Sequence, residues 1–140
     1  MADTEKVSGS CLCGAVSIEA PSAAKVVGVC HCSMCRTWGG GPYLAVDCQS
    51  DVVIDGKENI TAYNSSQWAD RAFCSKCGTH LYYYLKPKDQ YMMTAGFLNL
   101  SDDAVMAAQI FIDEKPNYYC FAEDTPKFTG EEFMKMMAGE

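Results

Sequence analysis

Val29-Cys30-His31-Cys32-Ser33-Met34-Cys35-Arg36 packs three cysteines into six consecutive positions. Reading outward, Gly9-Ser10-Cys11-Leu12-Cys13-Gly14 lies upstream and Phe73-Cys74-Ser75-Lys76-Cys77-Gly78 downstream. Seven of the nine cysteines thus fall into three short clusters with metal-ligand spacing. Cys11 and Cys13, at i and i+2, would share one face of a strand, so both sulfurs can meet one ion. Cys74 and Cys77 suit a tight turn, and Gly14 and Gly78 give the backbone room to turn. Zinc is the ion these thiols fit. Structural zinc takes four ligands, so no cluster closes a site alone.

Seven ligands divide most simply as four plus three. Joining the two pairs gives a closed set of Cys11, Cys13, Cys74 and Cys77. Cys30, Cys32 and Cys35 then form a local triad with one open position, as catalytic zinc sites have. Spacing alone does not force this division. A zinc ribbon of Cys32, Cys35, Cys74 and Cys77 is the rival, leaving Cys11, Cys13 and Cys30 over. A C-x2-C pair can also be a thioredoxin-type redox site, but extra cysteines flank both pairs and no βαβ pattern is visible. The lone Cys48 and Cys120 read as buried small hydrophobes. His31 alternates with its cysteine neighbours, so its side chain should point away from their sulfurs. It and His80 read as structural histidines.

The 140 residues suggest one domain, and 49% hydrophobic content is globular. The net charge of −7 and scattered lysines and arginines offer no basic patch for nucleic acid. No run of about 18 apolar residues exists, so no membrane span is expected. Nine cysteines without an export signal point to a reducing compartment, the cytoplasm.

Short β-branched and aromatic runs read as strands at Ala15–Ala20, Lys25–His31, Tyr43–Cys48, Val52–Ile54, Ile60–Asn64, Arg71–Cys74, Leu81–Leu85, Tyr91–Phe97 and Gln109–Asp113. Helical turns are expected at Asp102–Ala108 after Ser101, and a C-terminal helix at Gly130–Ala138, with Glu131 and Glu132 favoured by the helix dipole. The fold class expected is mainly antiparallel β. The Tyr82–Tyr84 and Tyr118-Tyr119 runs are candidates for a homodimer interface, although cross-strand packing is the commoner use of such residues.

The three stretches, with Cys30-His31-Cys32-Ser33-Met34-Cys35-Arg36 at the centre and Thr79-His80-Leu81 closing the last, resemble the family of glutathione-dependent formaldehyde-activating enzymes, which includes centromere protein V. Order and intervals match from about residue 9 to 113, followed by a C-terminal tail. One difference is visible: Thr37-Trp38-Gly39-Gly40-Gly41-Pro42 stands where many members carry further basic residues.

The resemblance implies a β-tent fold of two or three small antiparallel sheets with two zinc ions per chain. One ion would be structural, on Cys11, Cys13, Cys74 and Cys77. The other would be catalytic and could be labile, on Cys30, Cys32 and Cys35. It also implies a carbon–sulfur lyase or synthase that joins glutathione to formaldehyde as S-hydroxymethylglutathione. Three thiolate ligands make a poor Lewis acid, so the expected chemistry is delivery of a substrate thiolate to a small aldehyde. Arg36 is the candidate anchor for a substrate carboxylate, with Arg71 a weaker one. Trp38 is a candidate pocket wall, and the Gly40 backbone a candidate anion contact. The competing function is a zinc-stabilised module that binds a ligand or protein without catalysis. A redox enzyme using Cys32 and Cys35 would need those thiols free of metal.

Overall fold

The computed structural model describes residues 3–139. In chain order the elements are β1 (Thr4–Ser10), β2 (Ser17–Ala24), β3 (Val26–Cys30), α1 (Ser33–Gly39), β4 (Tyr43–Asp47), β5 (Val53–Asp55), β6 (Ile60–Asn64), β7 (Ala69–Cys74), β8 (His80–Leu85), β9 (Gln90–Thr94), β10 (Val105–Ile110), β11 (Lys127–Phe128) and α2 (Gly130–Gly139). The protein is mainly β, with a short C-terminal helix, as the strand-rich sequence implies. Its residues fall into two compact units: the described chain up to Lys25 with Ala45–Ala104, and Val26–Leu44 with the chain from Val105.

The first unit is antiparallel. A three-stranded sheet has the order β1-β2-β5. Its strands alternate: Val7 is buried between exposed Lys6 and Ser8, and Ile18 and Ala20 are buried between half-buried Ser17 and Glu19. Val7 pairs with Ala20 and Gly9 with Ile18, which puts the apolar set on one face. A second ladder runs β4-β9-β8-β7-β6. Leu81, Met93 and Val46 are fully buried within it. Tyr91 packs against Tyr82 and Tyr84 with ring centroids 4.9 and 4.8 Å away, the cross-strand role expected of such tyrosines.

The second unit departs from the antiparallel expectation. β10 pairs in parallel with both β3 and β11. The helical turns expected at Asp102–Ala108 are not formed; most of that stretch is β10. Its alanines favour a helix, but the backbone hydrogen bonds are taken by β3, and tertiary pairing overrides local propensity. The strand expected to reach Asp113 stops at Ile110, because Phe111 adopts a left-handed conformation with φ 55°. The expected C-terminal helix is present. Thr129 and Glu132 cap it reciprocally: the Thr129 N–H donates to Glu132 Oε1 at 2.8 Å and the Glu132 N–H to Thr129 Oγ1 at 3.1 Å. Two strands, β1 and β11, and the helix α1 have no counterpart in the sequence reading. Among the described residues, no helix is long and apolar enough to cross a membrane.

Gly56 shows how tightly the first unit closes. Its φ is +90°, and a Cβ there would lie 2.0 Å from the Ala15 carbonyl oxygen. Gly28 in β3 has open space around it. Gly56→Ala is therefore expected to destabilise the protein by about 2 kcal/mol or more. Gly28→Ala should be neutral or mildly stabilising. Chemical denaturation of the two variants checks this, and equal stability would refute the close-approach argument.

Candidate metal centres

The first unit brings four sulfurs together at the ends of two hairpins. Between β1 and β2 the chain turns at Cys11–Gly14, where the Gly14 N–H donates to the Cys11 carbonyl at 3.0 Å. Between β7 and β8 it turns at Cys74–Gly78, where the Gly78 N–H donates to the Cys74 carbonyl at 2.8 Å. Gly14 and Gly78 have φ of 80° and 79°, which only glycine adopts without cost. Cys11 and Cys13 thus converge through a turn, not along one face of a strand. A strand would space them along its axis; the turn folds Cys13 back toward Cys11.

Cys11 Sγ lies 3.7 Å from Cys13 Sγ and 3.7 Å from Cys74 Sγ, and Cys13 Sγ lies 3.8 Å from Cys74 Sγ. With Cys77, all four sulfurs lie within 4.8 Å of one another. Zinc–sulfur bonds of about 2.3 Å in a tetrahedron require sulfurs about 3.8 Å apart. A disulfide would need about 2.05 Å, and all nine cysteines are free. The donor set and its spacing therefore fit a tetrahedral ion such as zinc.

Backbone and hydroxyl donors surround these sulfurs. The Val16 N–H donates to Cys11 Sγ at 3.3 Å. The Leu12 N–H donates to Thr79 Oγ1 at 3.2 Å, which leaves the Thr79 hydroxyl hydrogen for Cys77 Sγ, 3.1 Å away. Thr79 so ties one turn to the other. Its hydrogen bonds hold the Cys77 thiol down at about 5, since a donor to sulfur favours the thiolate. The sequence reading has Thr79 only as part of the last motif and gives it no role, although a hydroxyl two residues after a candidate ligand cysteine is a usable signal.

The second unit assembles the other three cysteines locally. Cys30 is the last residue of β3, and Cys32 is the N-cap of α1, accepting the Cys35 N–H on its sulfur at 3.4 Å. Positions i and i+3 share a helix face, so the helix aims Cys35 at Cys32. The three sulfurs lie within 4.8 Å of one another; Cys30 and Cys35 are buried and Cys32 is half-buried. The neighbouring Cys32 and Cys35 sulfurs, with burial, push the Cys30 thiol upward. A cation among such sulfurs inverts that logic and deprotonates them. Three thiols at this range fit a soft divalent ion with one ligand position to spare.

Of the other residues singled out, Arg36 donates through Nε to the His31 carbonyl at 2.9 Å. The Trp38 ring lies 5.8 Å from that of Tyr43. Gly40 caps α1 with φ 84°, its N–H donating to the Arg36 carbonyl at 2.7 Å. Arg71 lies on β7 in the first unit, its guanidinium 5.4 Å from the centre of the Tyr83 ring. His31 belongs to neither sulfur group; it is wholly buried, and burial lowers its basicity. Cys48 is buried as expected, but Cys120 is exposed because it falls in an irregular segment, outside any strand or helix.

A four-sulfur and a three-sulfur group, each able to hold a metal ion, on a small β scaffold define a class of cysteine-rich β folds. The family description "glutathione-dependent formaldehyde-activating enzyme" matches residues 6–114, and the chain belongs to that family. It is 38% identical over 128 residues to a protein of Schizosaccharomyces pombe named as an uncharacterized lyase, covering 91% of this chain and 93% of the relative. It is 32% identical over 85 residues to a putative glutathione-dependent formaldehyde-activating enzyme of Halomonas elongata, covering 54% of each. The crystal structure of a Rhodobacter sphaeroides protein superposes with a TM-score of 0.57 at 26% identity, covering 71% of this chain and 99% of that one.

The low Cys77 value predicts a pH effect. Metal needs the thiolate, so a ligand with a lowered pKa resists proton competition to lower pH. Thr79→Val removes the hydroxyl donor and should raise the Cys77 pKa. Metal loss from the four-sulfur group should then begin at higher pH, with the triad unaffected. Metal retention followed against pH checks this, and an unmoved midpoint would refute it.

Proposed function

We propose that this chain is a zinc-dependent carbon–sulfur lyase or synthase acting on thiol–aldehyde adducts, of the type that interconverts S-hydroxymethylglutathione with glutathione and formaldehyde. In this reading Cys11, Cys13, Cys74 and Cys77 hold a structural zinc, and Cys30, Cys32 and Cys35 hold a catalytic one. The observation that carries the proposal is the triad: three converging sulfurs, one donor short of a closed set, in a member of this family. The names of the relatives from Schizosaccharomyces pombe and Halomonas elongata support the same class of chemistry.

Zinc held by the triad would supply a substrate thiol as thiolate at neutral pH. The chain's own residues do the rest. Cys30 and Cys35 are buried and Cys32 is half-buried, so Cys32 would be the ligand nearest to solvent. Arg36 is restrained at Nε by the His31 carbonyl, which leaves its terminal N–H groups to bind the carboxylate of an anionic thiol. Trp38, within the same helix, and the backbone at Gly40, which caps its C-terminal end, would line the approach. In the synthetic direction one carbon–sulfur bond forms, the aldehyde π pair moves to oxygen, and the thiol's proton ends on that oxygen. The lyase direction reverses each change.

Metal analysis should find two zinc ions per chain. Cys32→Ser should retain about one zinc, stay folded, and lose acceleration of adduct formation from glutathione and formaldehyde. Cys74→Ser should lose the fold, because structural zinc contributes about 10–16 kcal/mol of apparent binding energy in small zinc peptides. Glutathione should perturb the cobalt spectrum of the triad in the cobalt-substituted protein. Full activity in Cys32→Ser would remove the triad from the chemistry.

A further inference from the structure

His31 sits between two triad cysteines and is held at four points. Its N–H donates to the Ile110 carbonyl at 3.1 Å, and its own carbonyl accepts from Arg36 Nε at 2.9 Å. Its ring nitrogens lie 2.8 Å from Tyr119 Oη and 2.8 Å from Gln109 Oε1. The directions of these bonds follow from Gln109, whose side-chain nitrogen donates to Thr125 Oγ1 at 3.1 Å. The amide oxygen therefore faces the ring, and an amide oxygen only accepts. In the neutral ring Nε2 of His31 then carries the hydrogen, Nδ1 is the acceptor, and the Tyr119 hydroxyl donates to it.

The Tyr119 ring also stacks on His31, with centroids 5.5 Å apart and planes 25° from parallel. The segment bearing Tyr119 is held by Lys115, whose ammonium donates to the carbonyls of Pro116 and Tyr119 and lies 5.3 Å from the Tyr119 ring centre. Lys115, Tyr119 and Thr125 all follow residue 114, where the family match ends.

We infer that Tyr119 is a positioning residue of the three-sulfur site: by fixing His31 it sets the backbone from which Cys30 and Cys32 project, and so makes the segment after residue 114 part of that site. The inference rests on the reading that the triad holds a metal. A side chain locked on one side of an extended backbone fixes its neighbours on the other. Freeing the ring lets the segment between the two cysteines rotate, and ligands out of register bind metal less tightly. Groups bonded directly to metal ligands typically contribute about 10–100-fold in affinity, and a residue acting one bond further out, through His31, falls at the low end of that range.

Tyr119→Phe in the full chain keeps the stacked ring and removes only the hydroxyl. Cobalt titration with chelator competition should show triad affinity lowered about 10-fold and its absorption bands shifted, while the four-sulfur group is unchanged. Thr125→Val, which releases Gln109 at the far end, should act in the same direction more weakly and serves if Tyr119→Phe folds poorly. Tyr118→Phe, on the exposed neighbouring ring, should change neither site. Unaltered triad affinity in both Tyr119→Phe and Thr125→Val overturns the inference and leaves the proposed function standing. Equal weakening of both sites shows a general folding role and also overturns it. A wild-type chain that binds one metal removes the inference and the proposed function together.

Discussion

Sulfur crowding is the constraint from which the rest follows. Thiolates a few ångströms apart repel, and burial adds a desolvation cost for each charge. Groups such as Cys11–Cys13–Cys74, with sulfurs at 3.7–3.8 Å, are stable as thiolates only around a cation. The chain spends seven cysteines on such arrangements, and its hairpin turns and its strand-to-helix junction are shaped to bring them together.

The two groups are built in different ways, and the difference bears on their chemistry. The four-sulfur group joins turns more than 60 residues apart in sequence, Cys11–Gly14 and Cys74–Gly78, bridged by Thr79. An ion there would cross-link distant hairpins, which is a structural task. The triad is local. One strand end and one helix N-terminus supply all three sulfurs within six residues. Its ion would cross-link little, so its loss should cost little folding energy. A group that would add little to the fold and is one donor short of a closed set would be suited to exchange ligands with solvent and substrate.

Around the triad, hydrogen bonding has a fixed direction. The run from Tyr119 through His31 and Gln109 to Thr125 leaves one tautomer for the imidazole. Burial, which disfavours the charged ring, lowers the basicity of this histidine beside a group of thiols. Histidine in this position, outside the sulfur group yet bonded through both ring nitrogens and both backbone groups, would serve as a backbone anchor.

The sequence by itself determined the ligand types, their grouping into clusters and the strand-rich class. Those features are written in local spacing and composition: C-x-C and C-x2-C intervals, glycines after the turns, and short β-branched runs. It left open which clusters combine, because the convergence of Cys11 with Cys74 depends on two hairpins meeting across the first unit. It misread Asp102–Ala108, where alanine's helical preference yields to parallel pairing with β3. It also missed α1, whose N-cap is a cysteine outside the usual capping residues. Only the tertiary structure decided the partners of His31, since Gln109 and Tyr119 lie 78 and 88 residues away. Side-chain hydrogen bonds across such distances leave no periodic trace in the sequence, because they depend on where the completed backbone brings two polar groups together.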